Sequence, residues 1–546
     1  MSYHPKLLAA LSSLTVPFTN GTPLALLLFL AYFALFLLPG VAGAGLILRR
    51  GWSSPILPVV VTVIASSTAG LLAFWAFFFG KTPGRVYCFT IYGASVALLA
   101  TLAFRSKSLR CVLRALRSPL LYTAATGLFY TALFFLPTTS VGSDPELPAN
   151  RFFSEGRPED NLIPLFLADR FYDERPIRPF CCGGWLSSDR PPLQSGVFLL
   201  QRPLRLLGGN WLQYQLLATA LQCLWVCGVW CLLTALGTTE TRKRQVLTFL
   251  IFSGFLFYNS VYTWPKLFAS ALTLFTVSIF IGSFREARAT TTLEFAAASG
   301  SAGLMFLSHP GSVFSFPAFA VLALRYRRFL HLRQLVLGAS IVLCFVLPWN
   351  AYQRWFDPPG DRLLKMHLGG ETDPTTRSTW QVIRDAYRKH TAAEILRFKL
   401  SNLALLFGRS PSELVGVNAL RIHSGVHIDS GTAERTRIAQ REYIWNALGI
   451  LNVGWAVGLV CALRSRTRCA VPFAPWLIAA AICNLVIWSG VLFGPGATVT
   501  THSSYAEILL LSIGLLGWIL TLPRMIVALA FSLQAANFLL VWVWPR

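Results

Sequence analysis

Apolar runs long enough to cross a bilayer follow one another along most of this chain, and they leave few folds open to it. A helix needs roughly 20 predominantly apolar residues to span the hydrocarbon core. Runs of that kind cover Pro23–Leu48, Ile56–Gly80, Tyr87–Phe104, Leu120–Leu136, Trp211–Leu236, Val246–Tyr262, Leu267–Phe284, Tyr443–Leu463, Val471–Phe493, Ala506–Leu522 and Met525–Trp544. Three shorter runs, Leu293–Leu307, Val313–Leu324 and Leu335–Leu347, are expected to extend by a turn at each end. The pattern predicts an all-α polytopic membrane protein of about 14 transmembrane helices. Only 13% of the residues are charged, about half the share usual in soluble domains, which excludes a water-facing surface of ordinary size.

A formal net charge of +24 raises the question of an acidic partner. The basic residues answer it by where they stand. They gather in short connectors: Arg49–Arg50; Arg105, Lys107, Arg110, Arg114 and Arg117; Arg242, Lys243 and Arg244; Arg285 and Arg288; Arg325, Arg327, Arg328 and Arg333; Arg464, Arg466 and Arg468. These clusters recur after every second span, as the positive-inside rule requires of cytoplasmic loops. The charge is therefore a topology signal with anionic lipid as a secondary contact, and no nucleic-acid partner is expected. Both termini then fall outside, as do two large loops, Pro137–Leu193 and Asn350–Glu442. The setting this predicts is a bacterial inner membrane within the cell envelope. No cleaved leader is expected, because the apolar run before Val41-Ala42-Gly43-Ala44-Gly45 is too long for a signal peptide.

Of the 23 acidic residues, 19 fall in the two external loops. In the first, Pro158 is placed to open a helix, with Glu159 and Asp160 in its first turn where acids suit the dipole. Asn161–Tyr172 has the pattern of a short amphipathic helix, and Ser195–Leu207 that of a second; both are expected to lie on the membrane surface. Cys223, Cys227 and Cys231 share one helix face with no His or carboxylate beside them, which argues against a metal site. Cys181 and Cys182 are neighbours in the first loop, where a disulfide between them would be strained.

The order of these parts resembles membrane glycosyltransferases of the GT-C fold, most nearly the protein O-mannosyltransferase and aminoarabinose transferase kind. The resemblance rests on Glu159–Asp160, on Arg190-Pro191-Pro192-Leu193 leading into the next helix, and on Leu347-Pro348-Trp349 followed by Tyr352. It runs from about Leu120 to the C-terminus. Asn161 stands where a second acid often follows, so the matching pair is either Glu159–Asp160 or Asp160–Asn161. Three spans precede the matching region, which is unusual for the kind. The resemblance implies transmembrane helices over 1–117, a GT-C-like core over 118–349 including the external loop 137–210, a second loop over 350–442 and closing helices over 443–546. It further implies transfer of a sugar from a polyprenyl-phosphate donor to an acceptor on the outer face. A divalent metal is left open, since some such enzymes need one and others do not.

That reaction needs a base, cations for the phosphate and a seat for the lipid. Asp160 is the expected base, with Glu159 beside it. Direct displacement with one base implies inversion at the sugar carbon. Arg362 and Lys365, three apart and so on one helix face, are candidate phosphate ligands, and Arg190 is a third. His309 and His502, in short external turns, and Glu507, just inside an apolar run, are candidate pocket residues. The contrasting reading is a transporter or lipid flippase, which would place its essential residues at membrane depth.

Overall fold

The computed structural model describes residues 21–105, 107–135, 161–180, 184–206, 209–325, 327, 331–405, 469–494 and 505–543. Among them there is no strand. The helices are α1 (Gly21–Ile47), α2 (Leu57–Phe78), α3 (Lys81–Arg105), α4 (Lys107–Phe135), α5 (Ile163–Tyr172), α6 (Leu193–Gln201), α7 (Asn210–Gln222), α8 (Trp225–Ala235), α9 (Glu240–Ile251) and α10 (Gly254–Val261). There follow α11 (Lys266–Arg285), α12 (Thr292–Ser308), α13 (Pro317–Arg325), α14 (Leu332–Trp355), α15 (Arg362–Gly369), α16 (Thr379–Arg388), α17 (Ala392–Leu405), α18 (Ala474–Val491), α19 (Tyr505–Ile519) and α20 (Arg524–Phe538). Eight stretches of the described residues are helical, long and apolar enough to cross a membrane, α7 and α8 counting as one and α20 running on to Val543. The protein is a helical membrane protein. The expected span Tyr443–Leu463 lies outside the described residues.

The chain divides into two compact units. The first comprises residues 1–227 and 259–268. In it α1 packs on α2, α4 and α7, and α2 packs on α6. The two first-loop helices correct the expectation of a membrane-surface position. Every residue of α6 is buried, as are Ile163, Pro164, Leu165, Leu167, Ala168 and Phe171 of α5. Two glycines explain how α6 comes so close to α2. A Cβ on Gly196 would stand 2.4 Å from the Gly70 carbonyl oxygen, and one on Gly70 would stand 2.5 Å from Val197 Cγ2. Backbones meet where side chains are absent, as small residues permit between membrane helices. The described helix here runs Ile163–Tyr172, with Pro164 in its opening turn and no acid there; Pro158, Glu159 and Asp160 lie outside the described residues.

The second unit comprises residues 228–258 and 269–546. Here α12 packs along α14, and α18 along α19. Two expected spans are broken. Val246–Tyr262 divides into α9 and α10, and the Phe252 carbonyl at the break accepts a hydrogen bond from Gln534 Nε2 at 2.8 Å. Val313–Leu324 begins as a 3-10 turn over Pro310–Ser315 and becomes helical only at Pro317. Asn484 bridges that break, donating to the Ser315 carbonyl at 2.9 Å and accepting from the Ala318 N–H at 3.2 Å. Broken backbone at membrane depth persists only where protein groups satisfy it. Glu294, one of the few acids outside the loops, closes the capping box of α12 with Thr291 and takes a two-pronged bond from Arg288 at 2.8 Å per arm.

Candidate functional site: a buried polar centre in the first unit

Polar side chains at the start of α5, on α6 and α7 and in the turn 262–266 interlock within the first unit. Asn161 is 4% exposed. Its Nδ2 donates to the Tyr262 carbonyl at 2.9 Å, and its own carbonyl accepts from Tyr214 Oη at 2.7 Å. Gln194 Nε2 donates both to Tyr214 Oη at 2.7 Å and to the Thr263 carbonyl at 2.8 Å. Gln194 Oε1 accepts from Gln222 Nε2 at 2.9 Å, and Gln222 Oε1 accepts the backbone N–H of Phe268 at 3.1 Å, in the first turn of α11. Connected buried networks of this kind fix one geometry, because each lost bond strands a desolvated partner. Thr263 has φ of 62°, a costly conformation for a β-branched residue, and strain of this sort gathers at functional sites.

Two cations stand on this scaffold. Arg190 is 6% exposed and Lys266 2%. The Arg190 guanidinium lies 5.1 Å from the centroid of the Trp185 ring and 5.6 Å from that of Trp264, and Lys266 Nζ lies 3.8 Å from the Trp264 centroid. Both cations thus use the face of one indole. The Arg190 Nη1 also donates to the Asp189 carbonyl at 3.2 Å, while the Asp189 carboxylate is occupied by the Leu186 N–H at 2.8 Å. Asn161 Oδ1 and Thr263 Oγ1, by contrast, are buried without a hydrogen-bond partner. Buried polar atoms are nearly always satisfied, so these two oxygens have capacity for a ligand or a water.

A buried ion pair braces α5. Asp169 meets Arg202 at 2.9 Å and Asn210 Nδ2 at 3.3 Å. Burial pushes the Asp169 carboxyl up to about 6 against the pull of Arg202, and it draws the Arg202 guanidinium down. The brace ties α5 to the turn after α6 and to the first residue of α7, and so holds Asn161 in place two turns earlier.

Of the residues singled out from sequence, Arg190 sits in this centre. Glu159, Asp160 and His502 lie outside the described residues, as do Cys181 and Cys182. Arg362, Lys365, His309 and Glu507 belong to the second unit. Arg362 and Lys365 share α15 and are 9% and 2% exposed. Lys365 Nζ pairs with Asp361 at 2.7 Å and donates to the Thr375 carbonyl at 3.0 Å, so its charge joins α15 to the segment before α16. His309 is the half-buried C-cap of α12. Glu507 is 2% exposed in the first turn of α19, where the dipole favours an acid. Among the described residues no three His, Cys, Asp or Glu side chains gather as metal ligands.

Sequence reasoning missed Lys266, Trp264 and the Asn161–Tyr214–Gln194–Gln222 relay. Lys266 did have a signal. It opens a helix that ends at Arg285, and the 20 residues of that helix measure about 30 Å, one hydrocarbon thickness. It therefore lies about one hydrocarbon thickness from the basic pair Arg285 and Arg288, where the orientation expected from the sequence leaves Lys scarce. The fold and this centre define a helical membrane protein with a buried cationic, aromatic-lined polar site. No protein family, no curated protein and no solved structure matches the chain.

Proposed function

We propose that the protein is a membrane glycosyltransferase that moves a sugar from a polyprenyl-phosphate donor to an acceptor outside the cytoplasm. The observation that carries this reading is the pair Arg190 and Lys266, buried on one indole in a polar centre that also holds Asn161. Asn161 follows the proposed base, Asp160, by one peptide bond. In the proposed step the acceptor hydroxyl oxygen attacks the anomeric carbon as the bond from that carbon to the phosphate oxygen breaks. The electron pair leaves with the phosphate, whose charge Arg190 and Lys266 offset. The hydroxyl proton passes to Asp160, with Glu159 alongside. Attack opposite the leaving group inverts the sugar. Asn161 Oδ1 and Thr263 Oγ1 supply acceptors for sugar hydroxyls.

The breaks between α9 and α10 and before α13 favour a second reading, a transporter or flippase, because discontinuous helices are characteristic of such proteins. One experiment separates the two. Purified protein in proteoliposomes receives a panel of radiolabelled polyprenyl-phosphate sugars, with Asp160→Asn and Glu159→Gln compared at matched amounts. Release of polyprenyl phosphate with loss in Asp160→Asn supports transfer. Movement of intact donor between leaflets without cleavage supports flipping and removes the enzyme reading.

A further inference from the structure

The second loop has a polarity that water does not select. In α15 the cations Arg362 and Lys365 are turned inward at 9% and 2% exposure, while Leu364 is 51% exposed. A helix facing water shows the reverse. α15 packs on α16, where Val382 is buried and Trp380 is 70% exposed. Arg384 and Arg388, one and two turns on from Trp380, are exposed as well and continue its stripe. Immediately before these helices, α14 ends at Trp355 and Phe356, which are 70% and 62% exposed. The last turn of α14 is tied to the segment ahead of α15 by Gln353 Nε2, which donates to the Gly360 carbonyl at 3.0 Å.

α14 itself gives the frame. Most of its apolar surface is exposed, Leu335, Val336, Leu343 and Leu347 among it, as lipid contact requires. Its 24 residues measure about 36 Å, more than the roughly 30 Å hydrocarbon core. Its last turn therefore stands in the headgroup layer, at the end away from the basic connector Arg325–Arg333. A single exposed Leu has no meaning. Four large apolar side chains exposed at the end of a lipid-facing helix and on the two helices that follow it, beside cations turned inward, are what a surface that meets lipid requires.

We infer that Trp355, Phe356, Leu364 and Trp380 form an interfacial foot of the second loop, seated in the bilayer headgroup layer, with Arg384 and Arg388 on anionic lipid phosphates. Trp suits that layer, with an apolar ring and a polar N–H. Arg recognises phosphate through paired donors. The foot holds the second loop against the membrane whatever reaction the protein performs.

The test uses wild-type protein in nanodiscs holding one copy each, with phospholipids that carry a diazirine near the headgroup end of the acyl chain. After illumination, lipid adducts are located by mass spectrometry. Expected are adducts on the peptides containing Trp355–Phe356 and Trp380. The Trp380 yield should rise at least threefold when phosphatidylglycerol replaces part of the phosphatidylcholine, and Arg384→Gln/Arg388→Gln should abolish that gain. Adducts along α14 with none at Trp380 would put the loop in water and overturn the inference. Cross-linking of the Trp380 peptide only to a second copy, in discs holding two, would overturn it too. Equal yields in both lipids would remove the anionic headgroups from it.

Discussion

Lys266→Met is the perturbation that bears hardest on the proposed site. The ammonium is 2% exposed and 3.8 Å from the Trp264 centroid. Met keeps the length and apolar stem of the side chain and removes only the charge. At an effective dielectric near 20, a unit charge about 4 Å from a phosphate oxygen contributes on the order of 4 kcal/mol. Loss of one preorganised donor at a developing oxyanion costs about 3–4 kcal/mol in measured cases. The two figures agree on a fall in transfer rate of about 10²–10³. The charge develops on the leaving phosphate, so the loss should fall on kcat more than on KM. The assay is single-turnover transfer from a labelled polyprenyl-phosphate sugar, at matched amounts of protein that elutes as a single species. The variant's thermal midpoint in detergent is measured alongside, so that a fall in rate at the site is told from a loss of fold. A rate within twofold of wild type would refute the argument and reduce Lys266 to a structural cation on an indole.

Three further outcomes follow from the same unit. Gln222→Leu strands the Phe268 N–H and Gln194 Oε1, at about 1–3 kcal/mol for each unpaired group; the thermal midpoint in detergent should fall clearly, and an unchanged midpoint would show that the relay is not closed. Gly196→Leu places side-chain atoms against the Gly70 carbonyl, 2.4 Å from the Cβ position, so α6 must leave α2. A loss of about 1–3 kcal/mol or more is expected from denaturant unfolding, with trypsin cutting at Arg202 or Arg205 as the readout of detachment. Asp169 has a folded pKa pushed up to about 6 from an ordinary 3.8. Between those values the folded state binds more protons than the unfolded, so this carboxyl's contribution to stability is full below about pH 4 and is lost as pH rises to about 6. Asp169→Asn should flatten that part of the profile; an unaltered slope would place the titration elsewhere.

How far the sequence reached depended on whether a feature is local. Some apolar runs of full length gave helices close to the expected ends: Pro23–Leu48 became α1 and Leu267–Phe284 became α11, each within two residues, and Val471–Phe493 became α18, within three. The failures share one cause, a distant partner. The break at Phe252 depends on Gln534, and the one before Pro317 on Asn484, neither of them near in sequence. α5 and α6 have the composition of surface-lying helices, and composition cannot tell lipid headgroups from a protein interior. For α6 the close approach is to Gly70, more than a hundred residues upstream.

The site divides along the same line. Arg190 was legible because Arg-Pro-Pro-Leu is contiguous, whereas Gln194, Tyr214 and Gln222 look like ordinary polar positions until the fold joins them to Asn161. Lys266 is the instructive case. Read as the edge of an apolar run, it is trimmed away as a boundary charge. Under the orientation expected from the basic connectors, it is a cation on the face that the positive-inside rule depletes, and a charge kept there against that bias needs a reason. A buried indole 3.8 Å away is one, because the ring face attracts the ammonium. Under the proposed function, the donor's phosphate adds an opposite charge beside Lys266 and Arg190. Donor binding should then stabilise the protein by mass action in proportion to the two cations present. Polyprenyl phosphate should raise the thermal midpoint of wild type, raise it less for Lys266→Met, and leave it unmoved for Lys266→Met/Arg190→Met. An equal rise in all three would place the phosphate somewhere else.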